Sequence, residues 1–94
     1  MDRRKLEKIE QEIEAARGSP QKANRLERIA KRLGRKSVKR GKEPTWESTD
    51  FNHLYPLSIP HHGGKDIPTG TAKSILDQLQ EDVDAWREWL DNDN

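Results

Sequence analysis

The sequence of 94 residues predicts an α+β fold, an α-β-β-β-α sandwich with a three-stranded antiparallel sheet and helices on one face, plus an extra N-terminal helix. Three observations carry this. Apolar residues recur at helical spacing at the start of the chain, as Leu6, Ile9, Ile13 and Ala16 and then Ala23, Leu26, Ile29, Ala30 and Leu33. The period is lost between Arg35 and His62, where short alternating runs replace it. It returns from Ala72 through Ile75, Leu76, Leu79, Val83, Trp86 and Leu90.

Each element has its own signals. Residues 2–17 are otherwise Lys, Arg, Glu and Gln, good helix formers around a thin apolar stripe, and Gly18 ends them. Ser19 is the expected N-cap of a second helix, with Pro20 at its first position and Gly34 as its stop. Lys36–Arg40 suits a short strand. Pro44–Ser48 suits a second, opened by a proline as an edge strand can be. Leu54–His62 is the strongest strand signal, with Leu57 and Ile59 facing one way. Three glycines and Pro68 mark 61–70 as a loop. The last helix runs from Thr69 or Thr71 to about Leu90, with Asp77, Glu81, Asp84 and Glu88 on its solvent side.

Composition narrows the function. There are no cysteines, so disulfides and thiolate metal sites are excluded. No apolar run approaches a bilayer span, and MDRRKLEKIE has no apolar signal core. The expectation is a soluble, cytoplasmic protein without a membrane partner. The net charge of +1 conceals two halves of opposite sign. Residues 1–42 hold fifteen Lys and Arg against six Asp and Glu, and residues 43–94 hold three against eleven. Within 17–42 the ratio is eleven to one, which suits a polyanion. The alternative is a basic half neutralised by the acidic half, within one molecule or in a homodimer.

The run Leu57-Ser-Ile-Pro-His-His-Gly-Gly-Lys-Asp-Ile-Pro-Thr-Gly-Thr-Ala-Lys-Ser-Ile-Leu-Asp-Gln-Leu79 resembles the signature of HicA toxins. In that family a strand ends in a Val/Ile-Pro-x-His-like motif, and a Gly-Thr opens a helix reading roughly x-x-Ile-Leu. The matching features are Ile59-Pro60-His61-His62, Gly70-Thr71 and Ser74-Ile75-Leu76. The resemblance implies a fold like a double-stranded-RNA-binding domain and a toxin that cleaves mRNA, neutralised by a cognate HicB-like antitoxin that covers its active site. It also implies a metal-independent ribonuclease that needs no cofactor. Residues 19–91 would form this domain, 1–18 a helical extension outside the resemblance, and 92–94 a tail.

The chain departs from the family pattern at the catalytic motif. The resemblance implies a Gly-Ser-His-like turn into the second strand, whereas the sequence reads Gly41-Lys42-Glu43. Glu43 therefore occupies the expected histidine position. Histidine suits metal-free RNA cleavage because its pKa lies near neutrality, while cations around Glu43 would lower its pKa and weaken it as a base. Three readings stay open: a working base, a paired surface carboxylate, or a replacement that disables the toxin. A non-catalytic RNA-binding or antitoxin-interaction module of the same fold is the alternative function.

The remaining expected contacts are cationic. Lys22, Arg25, Arg28 and Arg32 line one side of the second helix, and Arg35, Lys36, Lys39, Arg40 and Lys42 continue into the first strand. Duplex RNA is bound largely through phosphates and 2′-hydroxyls, which such a spread of cations serves. Trp46 would either stack on an unpaired base or pack at the sheet edge. Strand alternation puts His61 and His62 on opposite faces, one available for phosphate and the other structural. Adjacent histidines are poorly spaced as metal ligands, so no metal is expected.

Overall fold

A computed structural model describes residues 1–40, 43–60 and 64–92, apart from the side chains of Arg40 and Glu43. Its order is α1 (Arg3–Ala16), α2 (Ala23–Arg32), β1 (Arg35–Arg40), β2 (Glu43–Ser48), β3 (Leu57–Ser58) and α3 (Thr69–Asn92). The three strands form one antiparallel sheet in the order β1-β2-β3. This is the expected α+β architecture with its N-terminal helix.

Local chemistry explains the helix ends, and in one case tertiary bonding displaces it. The Asp2 carboxylate caps α1 by accepting from the Lys5 backbone N–H at 2.8 Å. Leu6, Ile9, Ile13 and Ala16 are all buried, as their spacing requires. The second helix does not start at Ser19-Pro20. It starts at Ala23, with Lys22 at the N-cap and no side-chain cap bond. The intervening backbone is used elsewhere: Gln21 and Ile67 exchange N–H···O bonds of 2.7 and 3.2 Å. The buried Gln21 amide donates to the Ala16 carbonyl and to Ser19 Oγ, each at 2.9 Å. Two long-range backbone bonds thus hold extended a segment whose local propensity favours helix. Gly34 closes α2 in the left-handed region at φ +96°. Its carbonyl accepts from the Thr49 hydroxyl at 3.0 Å, which joins the turn after α2 to the end of β2.

Among the described residues the third strand is shorter than the Leu54–His62 expectation, whose last two residues, His61 and His62, lie outside them. Only Leu57 and Ser58 pair, opposite Trp46 and Thr45. Pro56 and Pro60 bracket the pair, and neither can donate to a ladder. The facing is as expected: Leu57 and Ile59 are buried and Ser58 is exposed. Cross-strand partners share a sheet face, so the buried Trp46 and its partner Ser37 mark the helix side. Val38 with Thr45, and Lys36 with Glu47, then lie on the open side.

The core joins all three helices to the sheet, through Ile9 and Ile13, Leu26 and Ile29, Leu76, Leu79 and Val83, Trp46, and Leu57. Trp86 belongs to it and donates its indole N–H to the Leu33 carbonyl at 2.8 Å. One flank of α1 is clamped to α3 by three ion pairs: Arg3–Asp91 at 2.8 Å, Glu10–Arg87 at 2.6 Å and Arg17–Asp77 at 2.7 Å. None of the helices is long and apolar enough to cross a membrane.

Within this core lies a buried ion pair. Arg35 Nε and Nη2 donate to the two carboxylate oxygens of Asp82 at 2.6 and 2.8 Å. Arg35 Nη1 donates to the carbonyls of Trp46 at 2.7 Å and Tyr55 at 3.0 Å. Both charged side chains are only 1% exposed. Burial pushes the Asp82 carboxyl up, and the bonds from Arg35 pull it back down.

Two outcomes follow for stability. Arg35→Met or Asp82→Leu should each lower unfolding free energy by about 3–5 kcal/mol, because each leaves its partner buried and uncompensated. In urea denaturation the Arg35→Met/Asp82→Leu double variant should lose less than the sum of the singles. Hydrogen bonding from Arg87 and from Arg17 holds the Glu10 and Asp77 carboxyls below their usual range. A depressed carboxylate pKa gives stability that is present above the unfolded-state pKa and lost as pH falls through the folded one. Thermal melts of Arg17→Gln/Arg87→Gln should therefore fall less between pH 6 and pH 3 than those of the parent.

Candidate nucleic-acid interface

The described cations of residues 22–39 divide into those held by other groups and those without an ionic partner among the described residues. Arg35 is the clearest correction to the sequence reading. It lies in the basic run but its guanidinium is buried on Asp82, so it cannot meet a phosphate. Arg32 is half-buried and paired with Glu12 of α1. Arg25 donates to the Gln21 side-chain oxygen at 3.1 Å. Lys22 reaches forward to the Gly64 carbonyl at 2.8 Å and the Asp66 carboxylate at 2.7 Å. It ties the start of α2 to the segment before α3.

Arg28, Lys31, Lys36 and Lys39 are exposed and make no ion pair with a described residue. Arg28 and Lys31 stand on the outer side of α2, three residues and so one turn apart. Lys36 and Lys39 stand on β1, the edge strand next to which α2 packs. By alternation Lys36 lies on the open side of the sheet and Lys39, opposite Pro44, on the helix side. The four therefore wrap the β1 edge from both sides. Lysines also blunt an edge strand against pairing with another chain, a role compatible with contacting phosphate.

Lys31 was not singled out by sequence, although it lies one turn beyond Arg28. Its ammonium sits 5.6 Å from the centroid of the Trp46 ring, within cation–π range. Trp46 itself is only 4% exposed. Of the two readings left open, a stacking platform or a packed residue, the structure supports the packed one: the ring lies in the core beneath Lys31. Its indole N–H has no hydrogen-bond partner among the described residues.

The expected catalytic position is described only in its backbone. Glu43 opens β2 directly opposite Arg40. The side chains of both, and all of Lys42, His61 and His62, lie outside the described residues. Among the described residues no group of three or more His, Cys, Asp or Glu side chains could hold a metal ion.

The cleft beside α3 has the opposite character. A cavity of about 330 Å³ between the 53–55 loop and α3 is lined by His53, Tyr55, Glu81, Asp84 and Glu88 among others. Tyr55 is 80% exposed and the nearby Trp89 44% exposed. Carboxylates on this rim repel phosphate, so this side is poorly suited to a polyanion.

Asp82 is a residue that sequence reading missed. Its signal is its position: Leu79, Asp82, Val83 and Trp86 follow the i, i+3, i+4, i+7 pattern of a buried stripe. A carboxylate there requires a buried cation, and the basic run supplies Arg35.

A family model described as HicA toxin of bacterial toxin-antitoxin matches residues 23–80, more than half of the chain. The match begins at the first residue of α2 and ends within α3, leaving α1 outside it. No curated protein and no solved structure matches the chain.

The burial of Trp46 sets a measurable expectation. Trp46→Phe should change RNA affinity by no more than about twofold in fluorescence anisotropy, whereas loss of a stacking aromatic would cost about 1–3 kcal/mol per base.

Proposed function

Since the chain belongs to the HicA toxin family, we propose that it is a toxin-type domain that binds duplex regions of mRNA through the α2–β1 surface, with its cleavage step impaired by Glu43. Family membership makes it the toxin member of a toxin–antitoxin pair and gives it an antitoxin partner. The single observation that carries the RNA reading is the sorting of the basic residues. Arg32 and Arg35 are turned toward carboxylates of the fold and Lys22 is tied to Asp66 at the surface, while Arg28, Lys31, Lys36 and Lys39 stand exposed along one edge with no ionic partner among the described residues. Such a surface supplies phosphate contacts without base readout, the mode by which duplex RNA is recognised by shape.

Cleavage without a metal requires a group to take the 2′-hydroxyl proton and another to protonate the departing 5′ oxygen. The family resemblance puts a histidine where this chain has Glu43. A carboxylate of ordinary pKa is a weak base near neutrality, and when ionised it adds negative charge near an RNA phosphate bound at that turn. Both effects disfavour the chemical step without removing the cations that bind.

Three measurements test this reading. Arg28→Glu/Lys39→Glu should weaken binding of a labelled RNA duplex at low salt by roughly tenfold or more. The parent protein should bind that duplex yet leave a messenger transcript essentially uncut. Glu43→His should raise cleavage by roughly 10²-fold, equally with and without EDTA. If the parent cuts RNA and Glu43→Gln abolishes that activity, Glu43 is a working base and the impaired-toxin reading is wrong. If no variant binds RNA, the RNA reading fails altogether.

A further inference from the structure

The two flanks of α1 are treated differently by the fold. Along the α3 flank the charges are matched: Arg3 to Asp91, Glu10 to Arg87, and Arg17 to Asp77. At 100° per residue, Lys5, Lys8 and Glu12 fall together on the other side of the buried Leu6–Ile9–Ile13–Ala16 stripe. Glu12 fixes where that side faces, because its carboxylate is bound by Arg32 of α2. Lys8 lies one turn from Glu12 and Lys5 a further turn away. Both are exposed, and neither makes an ion pair with a described residue.

We infer that α1, which lies outside the segment matched to the toxin family, extends the RNA-binding surface through Lys5 and Lys8. This rests on the RNA reading above and adds a second helix to it. The Glu12–Arg32 pair is the junction. It docks α1 beside α2 and cancels the one carboxylate on this flank that would repel a phosphate backbone. The free cations then follow one another from Lys39 and Lys31 across Arg28, past the neutral junction, to Lys8 and Lys5. Seven residues of helix separate Glu12 from Lys5, so the added track is about 10 Å long, enough for about two further phosphate contacts. The ligand class is a duplex RNA longer than the α2–β1 edge alone would cover.

The test compares two double variants of the full chain with the same change in net charge. Lys5→Gln/Lys8→Gln removes the free pair, and Arg3→Gln/Arg17→Gln removes cations from the opposite flank. Binding of a labelled RNA duplex of about 20 base pairs, a little beyond the roughly 16 spanned by duplex-RNA modules, is followed by anisotropy across a salt series. Helicity of each variant is checked by circular dichroism. The first variant should weaken binding roughly tenfold at low salt and reduce the slope of log K against log salt by about 2, while the second stays within about twofold of the parent. Equal losses in the two variants would reduce the effect to net charge and overturn the proposal. Parent-like binding by Lys5→Gln/Lys8→Gln would overturn it as well, even if that variant lost affinity for an acidic protein partner. A parent protein that binds no RNA defeats both this inference and the reading on which it rests, whereas a parent that binds normally alongside an unaffected first variant defeats only this one.

Discussion

Arg35 and Asp82 form the contact through which the strands, the last helix and the 51–56 loop are held to one another. The guanidinium makes four hydrogen bonds: two to the Asp82 carboxylate on α3, one to the Trp46 carbonyl on β2 and one to the Tyr55 carbonyl in the loop. A planar cation with a fixed fork of donors suits this arrangement, and a lysine could not reproduce it. Taking both charges out of water is costly, and the bidentate geometry is what offsets that cost. The pair also sets register, since a shift of β1 by one residue would move Arg35 to the open face of the sheet.

This use of Arg35 shapes the surface. A run of eleven cations with one acid between residues 17 and 42 would be a diffuse positive field if every side chain pointed outward. Instead the fold assigns Arg17, Lys22, Arg32 and Arg35 to carboxylates on α3, the 64–66 segment, α1 and α3. Among the described cations of the run, those exposed without an ionic partner stand on the outer side of α2 and the β1 edge. The acidic half is consumed in part by the same pairing, and Glu81, Asp84 and Glu88 line the cavity beside the 53–55 loop. The opposed halves of the sequence thus become internal neutralisation plus two separate surfaces of opposite sign. The neutralisation read from the charge pattern thus holds in part, within a single molecule.

Much of the fold was legible because apolar spacing dominates where helices pack. The stripes of α1, α2 and α3 are the residues that the sequence pattern selects. The failures arise where distant contacts overrule local signals. Ser19-Pro20 is a good helix start by composition, yet Gln21 is held extended by Ile67 from forty-six residues further along the chain. Leu54–His62 alternates like a strand, but prolines at 56 and 60 bracket its middle, and among the described residues Leu57 and Ser58 are the two that pair with β2. The site was less legible for a related reason. Nothing local distinguishes Arg35 from Lys36, and only the identity of a carboxylate 47 positions away determines which is buried. Asp82 was the recoverable half of that pair, since its place in the α3 stripe was visible from spacing. Trp46 could not be resolved as platform or core without knowing which sheet face the helices cover.

The central claim is that the cations left unpaired by the fold, and not the whole basic run, bind RNA. The salt dependence of duplex RNA binding by the unmodified protein tests it most directly. Four free cations on α2 and β1 with two on α1 predict a slope of log K against log salt of about −4 to −5. A slope near zero, or one approaching about −10 as though every cation of the run met a phosphate, would contradict the account.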